Sequence, residues 1–393
     1  MADAQRSLRD CLDGRVREGR SRGLGRRPPL FDAAGEGPIV RMGGRAFLNF
    51  TSNDGLGLAS SPAWRAEVAA CFAAFPPSAS ASRLAGGRSR ITEEAESATA
   101  AYFGFDECLF LPSGYQGNLA CVATLTQAGQ AVFVDRRVHA SIARALPAGK
   151  ADVRAYAHAD YGRLERRLAS AAPAAIQPLV ITESLFSMDG TVLDVARMAE
   201  LRRKHGFFLM VDEAHAVGAL GPGGRGLCAS VPGTADAALG TFGKSLGLFG
   251  SFLLLPKGFS AFFEYLSSPI MHSTAMPPAH AAAVLKLLER LPGLEGRRAR
   301  LRDNAAFFRA RLAERGIPTR GTAHIVAVPV GGEARTARLG ERLCERGVLA
   351  LAARYPTVPH GDGLLRFGLT ALHTRPQLLR AVDALAEAWA CPA

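Results

Sequence analysis

The sequence predicts an α/β protein: a large domain whose mostly parallel sheet is sandwiched by helices, then a smaller α+β domain at the C-terminal end. Three observations carry this. At 393 residues the chain exceeds what one compact core organises, so two domains are expected. Short apolar runs with the length of buried strands (Ala131–Asp135, Pro178–Phe186, Phe207–Asp212 and Gly250–Pro256) alternate with segments of helical periodicity, which is βαβ grammar. After Met276-Pro277-Pro278 the pattern changes to long helices, Ala279–Arg290 and Glu295–Arg315, followed by short strands near Ile325–Val330 and Leu364–Thr370.

In chain order, residues 1–47 are expected to form a helical and extended arm, residues 48–275 the large domain and residues 276–393 the small one. The stretch from Met1 to Arg27 interleaves arginines with acids and has no apolar centre, which argues against export. Hydrophobic residues make up 48% and charged residues 21%, a balance that provides a core and excludes a disordered chain. The most apolar stretch, around Leu246–Leu266, is broken by Gly250, Pro256, Lys257 and Glu264, so no membrane span is expected. Seven cysteines without a CxxC pair suit neither a disulfide framework nor a zinc site, and a cytoplasmic protein without a metal is expected. The net charge of +12 comes mostly from arginines strung along helices, without the interleaved aromatics on which bases stack. No nucleic acid is therefore expected; coenzyme A or an acidic carrier protein suits the charge better.

Two familiar motifs fail on inspection. Asp212-Glu213-Ala214-His215 and Gly243-Lys244-Ser245 resemble parts of a nucleic-acid-dependent ATPase, but a P-loop needs glycine five positions before Gly243, where Ala238 stands, and it should precede the acidic strand. Gly243-Lys244-Ser245-Leu246-Gly247 also fits the nucleophile elbow of serine hydrolases. The glycine-rich residues after it are too poor a helix start for that role.

In open α/β sheets ligands sit beyond the carboxyl ends of the strands. Three such ends are polar: Ser113-Gly114-Tyr115, Glu183, and Asp212 to His215. An aldehyde cofactor that stabilises carbanions needs a lysine for a Schiff base, a carboxylate against its ring nitrogen and a cradle for its phosphate. Lys244, Asp212 and the Ser113–Tyr115 loop with Thr241 are the candidates, and His215 could reach the phenolic oxygen. Arg366 lies in the apolar run Leu364-Leu365-Arg366-Phe367, where a buried guanidinium needs an anion, either a structural carboxylate or a ligand.

These residues, with Ser52-Asn53-Asp54, Ser113 to Asn118, His139-Ala140-Ser141, Phe186 to Gly190, Gly240 to Lys244 and Ser273 to Pro278, resemble the α-oxoamine synthase family of fold-type-I pyridoxal-phosphate (PLP) enzymes, and the likeness runs from about Leu48 to His373. The resemblance implies PLP as cofactor and a decarboxylative condensation of an amino acid with an acyl thioester, giving an α-amino ketone. The branch that joins L-alanine to a pimeloyl thioester, on coenzyme A or a carrier protein, is the nearest. Branches that use glycine with acetyl coenzyme A, or serine with a long-chain donor, are the alternatives. Lys244, His139 and Asp212 are then the catalytic residues. Ser113, Gly114, Tyr115, Glu183, Ser187, His215, Thr241 and Thr274 complete the cofactor site, Thr274 coming from the neighbouring subunit of a homodimer with a shared active site. Asn53, Arg26, Thr357 and Arg366 are the substrate contacts. Against the family pattern, Gly55 replaces a tyrosine, which either enlarges the acyl pocket or removes a hydroxyl contact. Thr92 replaces a histidine, and Ser78 to Ser82 lacks the usual glycines.

Overall fold

In the computed structural model, residues 7–21, 25, 28–32, 37–149, 151–170 and 176–390 are described. A seven-stranded sheet forms the centre, in the spatial order Glu107–Leu111, Ser251–Leu255, Ala237–Thr241, Phe208–Asp212, Leu179–Glu183, Ala131–Asp135, Asp152–Tyr156. Only Ser251–Leu255 runs against both its neighbours; the other ladders are parallel. Parallel strands are joined by crossover helices on both faces, so the inner strands are buried on both faces and are mainly apolar. The side-chain period of two shows in the packing. Val132, Val134, Ile181 and Met210 point to one face, with Ala120 and Val122 of the helix Gly114–Leu125. Phe133, Val180, Leu209 and Val211 point to the other, with Leu164, Met198 and Leu201.

Two strands extend the sheet beyond the apolar runs of the sequence. Asp152–Tyr156 forms an edge, and Ala237–Thr241 is wholly buried near the centre. The latter is a poor strand by propensity, being Ala-Ala-Leu-Gly-Thr. Close packing explains it: a Cβ on Gly240 would lie 2.1 Å from the Phe252 ring, and one on Gly117 of the covering helix 2.4 Å from Leu239.

The C-terminal elements form an antiparallel sheet, Ile325–Gly331, Gly363–Gly368 and Leu351–Ala353, against which the helix Glu333–Glu345 packs. That helix packs in turn on Arg375–Ala390. A third small sheet ties the two ends of the chain: the hairpin Ile39–Met42 and Arg45–Asn49 pairs in parallel with Val348–Leu349. Its turn is Gly43-Gly44, both at positive φ (57° and 74°), as a two-residue hairpin requires. The helix Pro278–Arg290 packs on the helices Pro62–Ala74 and Arg90–Phe103. The N-terminal helix is Leu8–Ser21 and none of its residues is buried. No helix among the described residues is long and apolar enough to cross a membrane, and no group of three or more His, Cys, Asp or Glu among them could hold a metal ion.

Candidate active site at the carboxyl ends of the central strands

Four strand ends of the central sheet supply the site. Glu183 and Asp212 are the last residues of adjacent parallel strands and stand opposite each other in register. Thr241 ends the next strand, and Lys244 follows in the tight turn that leads back into Ser251–Leu255. Ser113 follows the edge strand and caps the helix Gly114–Leu125, its Oγ accepting from Gln116 N–H at 3.2 Å. That leaves the amides of Gly114 and Tyr115 free at a helix N-terminus. Thr241 lies beside them, since a Cβ on Gly114 would come within 3.9 Å of Thr241 Cβ. Thr241 Oγ1 donates to the Gly250 carbonyl at 2.8 Å and accepts from Gly243 N–H at 3.1 Å. Glycine at 114 and at 243 keeps this hollow clear of side chains, which suits the phosphate of PLP.

Asp212 is buried and held at both oxygens: Oδ1 accepts from Ala214 N–H at 2.9 Å and Oδ2 from Asn118 Nδ2 at 2.7 Å. Asn118 Nδ2 also donates to Ser141 Oγ at 2.9 Å, and Ser141 Oγ lies 2.7 Å from His139 Nδ1. The Ser141 N–H donates to that same nitrogen at 3.3 Å. Nδ1 is thus an acceptor, and neutral His139 carries its proton on Nε2. Burial lowers the His139 pKa, with nearby Asp212 opposing and Lys244 assisting. A continuous relay therefore joins Asp212 to His139 through Asn118 and Ser141. Neither linker was singled out by sequence reasoning; both stood only within matched stretches, and a side-chain bond across 94 positions leaves no local signal.

The Lys244 amine is pushed down to about 8, chiefly by burial, with Asp212 and Glu183 pulling the other way and Arg366 adding to the fall. Glu183 is driven well above the usual carboxylate range by burial and by the charge of Asp212. This favours its neutral form, and its Oε1 is sealed without a partner. His215 is held well below its ordinary value by burial and by Lys244 and Arg366. The buried polar atoms left unpaired here, Glu183 Oε1 and Asn118 Oδ1, flank Asp212 where a polar ring would lie. The residues fit PLP.

Arg366 sits in the centre of the strand Gly363–Gly368, buried. Its Nε donates to the Ser187 carbonyl at 2.5 Å and its Nη2 to Asn53 Oδ1 at 2.8 Å. Among the described residues no carboxylate pairs with it, so the structural salt bridge is not what balances its charge. Burial lowers its pKa to about 10. Ser187, Asn53 and Arg366 thus meet, although they come from three distant parts of the chain. Alongside opens a cleft of about 600 Å³ lined by Val138, His139, Phe186, Ser187, Met188 and Thr357, with Arg136 and Arg137 also on its wall. Arg137 is anchored there by Asp189 and Asp362.

Three further residues of the sequence reading stand apart from this network. Gly55 does not widen this cleft: a Cβ there would meet Ser245 Oγ at 2.9 Å and Leu301 Cδ2 at 3.2 Å, so the space a side chain would need is filled. Thr274 lies exposed on the chain's surface, bridged to Ser82 and outside the network above. Arg26 falls outside the described residues.

Comparison with known proteins agrees with this geometry. Residues 45–385 match the family described as aminotransferase class I and II. A putative 8-amino-7-oxononanoate synthase of Bordetella pertussis is 37% identical over 356 residues, covering 89% of this chain and 90% of the relative. An 8-amino-7-oxononanoate synthase of Gluconacetobacter diazotrophicus is 37% identical over 362 residues, covering 90% and 91%. Among solved structures, a serine palmitoyltransferase from S. paucimobilis with PLP and myriocin bound superposes with a TM-score of 0.90 at 25% identity, covering 98% of both chains. Two-fifths identity is nearly reached over nine-tenths of the chain, and the lysine, the carboxylate and the phosphate hollow stand together at the strand ends. The chain belongs to the aminotransferase class I and II family, within its PLP-dependent, acyl-transferring α-oxoamine synthase group.

Proposed function

We propose that this protein is an 8-amino-7-oxononanoate synthase, which joins L-alanine to a pimeloyl thioester with loss of carbon dioxide. The observation that carries the reading is Arg366: a buried guanidinium with no carboxylate of its own, next to Lys244 and at the edge of an apolar cleft. The names of the curated relatives support the same activity.

In this reading, Lys244 holds PLP through its amine, with the phosphate on the amides of Gly114 and Tyr115 and the hydroxyls of Ser113 and Thr241. PLP bound there supplies an electron sink for the carbanion left when the amino acid loses its α-proton. The chain's own residues do the rest. Asp212, fixed by Asn118 and the Ala214 N–H, would hold the ring nitrogen, and His215 and Ser187 would serve the ring's oxygen. His139 is kept neutral and oriented by Ser141, so that it can cover the ring and offer its Nε2 proton. Glu183, in its neutral form, gives a further donor beside the ring. Arg366 and Asn53 grip the amino-acid carboxylate, the bidentate fork of arginine setting its orientation. Lys244 Nζ, its pKa pushed down to about 8, would take and return the proton at the α-carbon. The acyl chain lies along Val138, Phe186, Met188 and Thr357, and Arg136 and Arg137 face the anionic carrier, coenzyme A or an acidic carrier protein.

A homodimer completes the site by placing Thr274 against the phosphate of the other subunit. Leu84, Phe249 and Tyr265, each more than 60% exposed in the single chain, give it apolar surface to bury. The six described cysteines are free thiols, which suits the reducing cytoplasm.

The test is direct. Holoenzyme given L-alanine and a pimeloyl thioester should release carbon dioxide and the α-amino ketone, whereas glycine with an acetyl thioester, or serine with a palmitoyl thioester, should turn over at least ten-fold more slowly. K244A should lose turnover and the visible band of the lysine-linked cofactor. Equal or better turnover with either of the other pairs would overturn the substrate assignment.

A further inference from the structure

His324 is buried at the start of the strand Ile325–Gly331 and has no part in the machinery above. Its Nδ1 is sealed from solvent and has no hydrogen-bond partner among the described residues. A buried polar group left unpaired is costly, so one that is kept calls for an explanation. The surroundings supply it. The His324 carbonyl accepts from Leu369 N–H at 2.9 Å, three residues beyond Arg366, so the imidazole is tied to the segment that carries the guanidinium. Its Cδ2 lies 3.7 Å from where a Cβ on Gly55 would stand, two residues from Asn53. Ser245, the neighbour of Lys244, brackets the same point from the other side, with Oγ 2.9 Å from it. His324 thus lies among the segments that carry the three residues assigned to grip and process the amino acid, Arg366, Asn53 and Lys244.

We propose that His324 is a further substrate-binding residue, whose imidazole donates a hydrogen bond to the amino-acid carboxylate beside Arg366 and walls the space that Gly55 leaves without a side chain. This rests on the reading of Arg366 as the carboxylate anchor. The electrostatics agree: burial, Arg366 and Lys244 hold the His324 pKa down to about 3, so the ring is neutral and one nitrogen carries a proton to give. A neutral donor adds affinity for an anion without adding charge to a site that already holds Arg366 and Lys244. The pairing also accounts for glycine at 55, because the larger side chain that the family pattern expects there would collide with Ser245 and press on His324.

The experiment is a titration of holoenzyme with L-alanine in the absence of thioester, followed by the change in the cofactor's visible spectrum. H324F keeps the ring volume and removes the donor. Its Kd for L-alanine should rise about ten-fold or more, as loss of a hydrogen bond to a charged group implies. The spectrum and affinity of the bound cofactor, and the KM for the thioester, should stay as in the wild type. H324Q, which restores a donor, should recover part of the loss, a rescue that packing alone would not produce. Where phenylalanine is not accommodated, H324L carries the same test. H324F or H324L binding L-alanine as tightly as the wild type overturns this inference and leaves the proposed function standing. A wild-type holoenzyme whose spectrum responds to no amino acid overturns both.

Discussion

Lys244 illustrates how one residue's chemistry follows from its surroundings. An amine is a nucleophile only when neutral, and an ordinary lysine is neutral only near pH 10.5 and above. Burial at the strand ends brings Lys244 to about 8 despite Asp212 and Glu183 nearby. The sign is fixed: desolvation disfavours the charged form, so the neutral fraction grows ten-fold per pH unit below about 8 and then levels off. The apoprotein should therefore capture PLP at a rate that climbs to about pH 8 and flattens, read as growth of the visible band after mixing. A rate still climbing at pH 10 would mean the amine is solvated. The sequence pointed to Asp212 and Arg366 because each carries a charge where charge is costly, after or within an apolar run, and to Lys244 because a lysine flanked by Thr241 and Gly243 follows Asp212 in the chain. Asn118, Ser141 and His324 carry no such mark. They are neutral polar residues in ordinary contexts, and only the folded proximity of Asp212, His139 and Arg366 gives them a role.

At the scale of elements, strands rich in large apolar residues were legible and strands made of small ones were not. Ala131–Asp135 and Phe208–Asp212 coincide with the apolar runs, because a strand covered on both faces must be apolar throughout. Ala237–Thr241 escaped notice, since its alanines and glycine look like a loop and are chosen for closeness rather than propensity. The Phe252 ring lies over Gly240 and Leu239 packs into Gly117, so the covering helix and the antiparallel strand approach the one that leads to Thr241 and Lys244. This makes the glycine a positioning feature of the site. Gly240→Ala should cost about 1–3 kcal/mol by overpacking and move the Thr241 end of the strand. A lower thermal midpoint with weakened PLP affinity is the expected result. An unchanged midpoint would show that Phe252 can step aside.

At the scale of the whole molecule, the single chain gathers almost every residue assigned to the site, but Thr274 stands apart. It lies on the outer surface, bridged to Ser82, and the single chain also exposes the large apolar side chains of Leu84, Phe249 and Tyr265. The proposed shared site would account for this, because in a symmetric dimer each subunit's surface threonine would face the other's phosphate hollow. This predicts complementation. T274D places a carboxylate against the phosphate and should expel the cofactor from the partner's site, while K244A destroys the site of its own subunit. Each homodimer should then be inactive. In a mixed dimer, one site receives Lys244 from the T274D subunit and Thr274 from the K244A subunit, both intact, so activity should return when the two variants are co-expressed or exchange subunits. If Thr274 acted on its own chain, the T274D subunit would be dead in every pairing and the mixture would stay inactive. A monomer in solution at enzymatically active concentrations would rule out sharing altogether.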